Sequence, residues 1–120
     1  MSRYDVIIIG AGPGGIFAAY ELAKKAPELK VAVFEAGNSL EKRKCPIDGK
    51  KIKSCINCKT CAIMSGFGGA GAFSDGKYNI TNDFGGTLYE YIGKDTAIDL
   101  MKYVDEINLA YGGEGTKMYS

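Results

Sequence analysis

Tyr4-Asp5-Val6-Ile7-Ile8-Ile9-Gly10-Ala11-Gly12-Pro13-Gly14-Gly15 is an apolar run that ends in clustered glycines, and Val31-Ala32-Val33-Phe34-Glu35 is a second apolar run that ends in an acid. Between them Ile16, Ala19, Tyr20 and Ala23 recur at helical spacing, with Ala18 and Leu22 widening the stripe and Glu21, Lys24 and Lys25 on the other side. The order strand, glycine turn, helix, strand is a βαβ unit. The unbroken Val6 to Ile9 run predicts a strand covered on both faces of a parallel sheet.

The spacing of the glycines predicts a dinucleotide site. Gly10 permits the tight turn off the strand, Gly12 lets the backbone approach a pyrophosphate, and Gly15 removes a side chain where helix meets sheet. The helix N-terminus then offers free N–H groups and partial positive charge to phosphates. Glu35 lies about 20 residues further on, where a carboxylate accepts hydrogen bonds from ribose hydroxyls; a 2′-phosphate would meet like charge, which disfavours NADP at this motif.

Outward from this unit the pattern changes. From Ala36 to Cys61 the periodicity disappears into Gly, Pro, Lys and Cys, so a Cys/Lys-rich excursion is expected at about 37–64. Loops of that length inside a domain are usually functional or mobile. A second glycine-rich stretch follows, Ser65-Gly66-Phe67-Gly68-Gly69-Ala70-Gly71-Ala72-Phe73-Ser74-Asp75-Gly76-Lys77. Phe67 and Phe73 interleave its glycines, which argues against a flexible linker and for backbone lying close to something flat or charged. Tyr78 to Thr81 reads as a short strand and Asn82 to Gly86 as a turn. Asp95 or Thr96 then caps a helix running to about Tyr111, with Ile98, Met101, Val104, Ile107 and Tyr111 on one packing face and Gly112 as its stop.

All four cysteines fall within one short segment, as Cys45-x9-Cys55-x2-Cys58-x2-Cys61, in a chain without secretory features. That clustering argues against a disulfide scaffold. Three readings stand: a thiolate site for an iron–sulfur cluster or zinc, thiol–disulfide chemistry at Cys58-Lys59-Thr60-Cys61, or inert thiols. The polar setting weighs against inert packing.

Composition narrows the function further. The 120 residues are 46% hydrophobic with a net charge of +1, which fits a globular domain and predicts no bulk attraction to nucleic acid or anionic lipid. Lys42, Arg43, Lys44, Lys50, Lys51 and Lys53 form a local basic cluster, read as a solvated loop. No stretch approaches a membrane span and the Val6 to Ile9 run is too short for a signal peptide, so a cytoplasmic location is expected. Histidine is absent, which removes the commonest neutral-pH general base and leaves catalysis to a cofactor, a thiol, a lysine, a tyrosine or residues outside this segment. Two clear strands are fewer than a nucleotide-binding sheet normally needs, so 1–120 is expected to be the N-terminal segment of a longer protein, with any substrate domain and the rest of the cofactor cradle elsewhere.

The opening motif resembles the N-terminus of flavoproteins with two dinucleotide-binding domains. Glu35 with Arg43, the cysteine segment and the run Gly68 to Lys77 resemble something narrower, the bacterial and archaeal FAD-dependent dehydrogenases often labelled NAD(P)/FAD-dependent oxidoreductases. The resemblance implies an α/β, Rossmann-like FAD/NAD(P)-binding fold with a parallel sheet, with FAD as cofactor and NAD(P)H as co-substrate. It places the FAD pyrophosphate at Gly10, Ala11, Gly12, Pro13, Gly14 and Gly15 and the adenosine ribose at Glu35 and Ala36. It sets Arg43 within reach of a phosphate, the loop Gly69, Ala70 and Gly71 against pyrophosphate or flavin, and Lys77 near the flavin ring. The implied activity is hydride or electron transfer between a nicotinamide cofactor and an unidentified substrate. An NAD-binding dehydrogenase or sensor, and a non-catalytic four-cysteine metal module, are the competing readings.

Overall fold

β1 (Val6–Ile9) and β2 (Val31–Phe34) pair in parallel with Val6 opposite Val31 and Ile9 opposite Phe34, as the β-branched runs predict. The structure, a computed structural model, describes residues 3–113 and 115. It divides into two compact units, Met1–Ser74 and Asp75–Ser120.

In the first unit α1 (Pro13–Lys25) crosses between the two strands. Pro13 stands in the first turn, where its missing N–H costs nothing, and Gly12 caps it in extended conformation. Lys24 and Lys25 in the last turn complement the helix dipole, and Pro27 prevents continuation. The Asp5 side chain then accepts from the Lys30 N–H at 2.8 Å, tying the start of β1 to the start of β2. Ile16, Phe17, Ala19, Tyr20 and Leu22 are half-buried, whereas Ala18 and Ala23, both assigned to the apolar stripe, are exposed.

The expected cover on both faces of β1 is not found. Val6 and Ile8 are half-buried, but Ile7 is 56% exposed and Ile9 82% exposed. Phe34 on β2 is 52% exposed as well. The sheet has two strands among the described residues, and α1 packs against both of them.

The second unit holds α2 (Leu88–Ile92) and α3 (Lys94–Asn108). No strand forms at Tyr78 to Thr81; Asn79 alone makes a bridge, and a single 3-10 turn follows at Asn82–Phe84, its start capped by the Thr81 hydroxyl accepting from the Asp83 N–H at 3.1 Å. Helix α3 begins earlier than the Asp95 or Thr96 cap predicts, because Gly93, with φ of 85°, ends α2 and opens α3 in one residue. Ala97 is fully buried; Ile98, Met101, Val104 and Ile107 are half-buried, and Tyr111, placed on the same face by its spacing, is 76% exposed. Gly112 takes φ of 117° and breaks the helical path, as its assignment as the stop requires.

Candidate functional site

Gly10 leaves β1 with φ of 97°, a conformation open to glycine, and its N–H donates to the Phe34 carbonyl at 2.7 Å. The turn it starts is bare on the outside. A Cβ on Gly12 or Gly14 would meet nothing within 4 Å, whereas a Cβ on Gly15 would collide with the Gly10 carbonyl oxygen and press on Ile8. Gly15 therefore serves packing, whereas Gly12 leaves the outer side of the turn open. The Gly14 and Gly15 amides, in the first turn of α1, have no acceptor within the helix.

Glu35 sits at the end of β2 and reaches back to this turn. One carboxylate oxygen accepts from the Ala11 N–H at 2.8 Å and the other from the Gly37 N–H at 2.8 Å. These two amides hold its pKa below the usual value, with the Arg43 charge and the Ala36 amide helping and desolvation opposing. The carboxylate is thus ionised and fixed. Beside it a cavity of about 390 Å³ is lined by Glu35, Gly37, Asn38, Ser39, Leu40, Glu41 and Phe67.

The second glycine loop comes to the first. The Gly68 N–H donates to the Ala11 carbonyl at 2.8 Å, and a Cβ on Gly69 would press on Gly12 and Pro13 at 3.1 and 3.2 Å. Gly71 lies beside Pro13, and Ala70–Phe73 form a single 3-10 turn. Gly10 to Gly15, Glu35, Ala36 and Gly69 to Gly71 are therefore all in one unit, with the two glycine stretches in direct contact.

Arg43 departs from its expected role. It is 3% exposed, and its guanidinium donates to the carbonyls of Ala62, Phe67, Gly69 and Ile63 at 2.6 to 2.8 Å, from Nε, Nη1 twice and Nη2. The Phe73 ring covers it at 4.8 Å. Four of the five guanidinium N–H donors are spent on backbone, so the side chain clamps the glycine loop instead of reaching for a phosphate. Lys77 belongs to the second unit and pairs with Asp75 at 3.0 Å, both side chains well exposed.

Sequence reasoning missed Gly37, Asn38 and Asp48. Gly37 and Gly66 pack backbone to backbone, and the Phe67 N–H donates to the Asn38 carbonyl at 3.0 Å, which seats the second loop. Asp48 gathers the amides of Lys50, Lys51 and Ile52 on one carboxylate oxygen at 2.8 to 2.9 Å. The Asp48-Gly49 pair, a turn signal, was the readable hint for that last one.

The four cysteines are free and exposed, and all of them line a single cavity with Pro46, Ile47, Ile56, Asn57 and Ala62. No three acidic or thiol side chains among the described residues already stand as a binding group for one metal ion. No described helix is long and apolar enough to cross a membrane.

Residues 1–41 match the Thi4 family. The match covers the βαβ unit with Glu35 and stops before Arg43 and the cysteines. Among curated proteins, the thiamine thiazole synthase of Yarrowia lipolytica is 64% identical over 33 residues, 28% of this chain and 10% of that protein. That of Fusarium oxysporum is 57% identical over 35 residues, 29% of this chain and 11% of its own length. An uncharacterized protein of Clostridium beijerinckii is 39% identical over 71 residues, 59% of this chain and 13% of that protein. The chain thus spans roughly a tenth of the length of the curated relatives it matches. No solved structure matches.

Proposed function

We propose that this chain carries the grip on the ADP half of FAD in a flavin-dependent oxidoreductase. The observation that carries the reading is the meeting of an open glycine turn, a fixed carboxylate and a second glycine loop in one unit. The residues fit the group. The bare outer side of Gly12 and Gly14 admits a pyrophosphate, and the α1 N-terminus supplies amides and positive potential to it. Glu35, ionised and held by Ala11 and Gly37, is set to accept from ribose hydroxyls, and the cavity walled by Leu40 and Phe67 beside it suits a flat apolar base. Gly69 to Gly71 close the turn from the other side.

FAD when bound supplies hydride and one-electron chemistry at its ring, and the protein supplies position and field. We assign the activity to a dehydrogenase that exchanges hydride with a nicotinamide cofactor and a substrate bound by residues outside this chain. The thiamine thiazole synthases resemble the chain over short stretches, and the family match lies within the nucleotide-gripping unit; that supports a shared grip and does not carry thiazole synthesis to this protein.

Equilibrium dialysis of the purified chain against FAD and against NADH tests the reading. Retention of FAD that Gly12→Leu abolishes is the expected result. Binding of NADH without FAD selects an NAD-dependent dehydrogenase or sensor, and binding of neither overturns the assignment.

A further inference from the structure

The cysteine loop has the shape of a site, independent of the nucleotide grip. We propose that Cys45, Cys55, Cys58 and Cys61 together ligate an iron–sulfur cluster.

Three local devices bring the four thiols to one place. Arg43, two residues before Cys45, binds the carbonyls of Ala62 and Ile63, which directly follow Cys61, so one buried guanidinium pins both ends of the loop. The wide gap between Cys45 and Cys55 is folded up by Asp48: its side chain collects three amides, and its own N–H and that of Gly49 donate to the Ile52 carbonyl at 3.1 and 3.2 Å. Those amides also hold the Asp48 pKa below its usual value. Finally, Asn57 adopts φ of 53°, the one non-glycine residue with positive φ among the described residues, and its N–H donates to Cys55 Sγ at 3.4 Å. A backbone N–H aimed at a cysteine sulfur two residues earlier is a ligand-supporting contact: it spreads thiolate charge and fixes the sulfur's direction.

The result is a cavity of about 230 Å³ that all four cysteines line, walled by Pro46, Ile47, Ile56 and Ala62. Pro46, Ile47 and Ile56 are themselves exposed beside the thiols, an apolar rim that a seated cluster would cover. The spacing favours a cluster over zinc: Cys55-x2-Cys58-x2-Cys61 matches the three-cysteine run of ferredoxin-type clusters, and Cys45, followed by Pro46, stands as the separate fourth thiol. Each thiol gives its proton to solvent as its iron–sulfur bond forms. Lys42, Lys44, Lys50, Lys51, Lys53 and Lys59 flank the loop and offset the negative charge so gathered.

The test is anaerobic reconstitution of the whole chain with a mixture of ferric and ferrous iron and sulfide, the ferric iron supplying the oxidising equivalents of the cluster, and separately with zinc. The expected result is more than one iron per chain with an equal amount of acid-labile sulfide, a visible charge-transfer absorption, and loss of both in Cys45→Ser and in Cys58→Ser. Alkylation of the unsubstituted protein keeps the question answerable if those variants misfold: all four thiols should react in the metal-free chain and all four should be protected after loading. One zinc per chain in place of iron and sulfide overturns the proposal, as does a folded chain that takes up neither, or one in which Cys45 still alkylates after loading. None of these readouts depends on FAD.

Discussion

Gly12 and Gly15 lie in one turn and meet opposite surroundings. A methyl group on Gly15 has nowhere to go but the Gly10 carbonyl, so Gly15→Ala should destabilise the fold by about 1 to 3 kcal/mol, read as a lowered denaturation midpoint. The same methyl on Gly12 meets open space, so Gly12→Ala should leave the midpoint within about 0.5 kcal/mol and weaken FAD retention. Equal midpoints for the two variants would refute this division. Glu35 adds a pH dependence of definite sign. Its folded pKa is lowered, chiefly by the Ala11 amide and then by that of Gly37, so its contribution is complete above the ordinary value of 4.5 and fades as pH falls through the lower folded value. Unfolding midpoints measured between pH 6 and pH 3, spanning the usual carboxylate range, should fall less steeply in acid for Glu35→Gln than for the unaltered chain; parallel curves would contradict it. The residue types were legible in the sequence here: tight-turn and helix–strand packing chemistry demands the glycines, and an acid closes the second apolar run. That Glu35 also binds the Ala11 amide was not, because the contact spans 24 positions and arises only when β1 and β2 pair.

At the scale of elements the deciding feature is a loop held by one side chain. The family resemblance sets Arg43 within reach of a phosphate, and the structure instead surrounds it with four carbonyls and a phenylalanine ring. No local pattern announces such a role: the acceptors are backbone oxygens 19 to 26 positions away, which carry no sequence signature. Replacing it with methionine keeps much of the volume but leaves buried carbonyls without donors, at about 2 to 5 kcal/mol. Limited proteolysis of Arg43→Met should cut within 44–69 well before the rest of the first unit, and an unchanged cleavage pattern would remove the clamp from the account. The helices teach the converse. Gly93 displaced the expected cap because positive φ at one glycine ends α2 and starts α3 together, an economy that an Asp or Thr rule does not see.

For the molecule as a whole, the described residues bury few large side chains. Ala11, Ile80 and Ala97 are the buried apolar residues, while Ile7, Ile9 and Phe34 remain largely exposed on the strands. Such a surface should bind a hydrophobic dye and promote self-association, and Ile9→Lys should reduce both, measured by dye fluorescence and size-exclusion chromatography. An Ile9→Lys chain that elutes and fluoresces like the unaltered one would show that this face is covered in solution. The amino-acid sequence by itself determined the βαβ unit, its two parallel strands and the carboxylate at its end. Those follow from short-range rules: β-branched runs, helical spacing, and glycine where backbone must turn or be approached. Only the tertiary structure decided that the second glycine loop rests on the first, that Arg43 is a clamp, and that four cysteines separated by a wide gap share one cavity. The first two depend on backbone carbonyls and amides far apart in the chain, groups every residue possesses and which only folding brings together; the third adds the local turns at Asp48 and Asn57 to the Arg43 clamp.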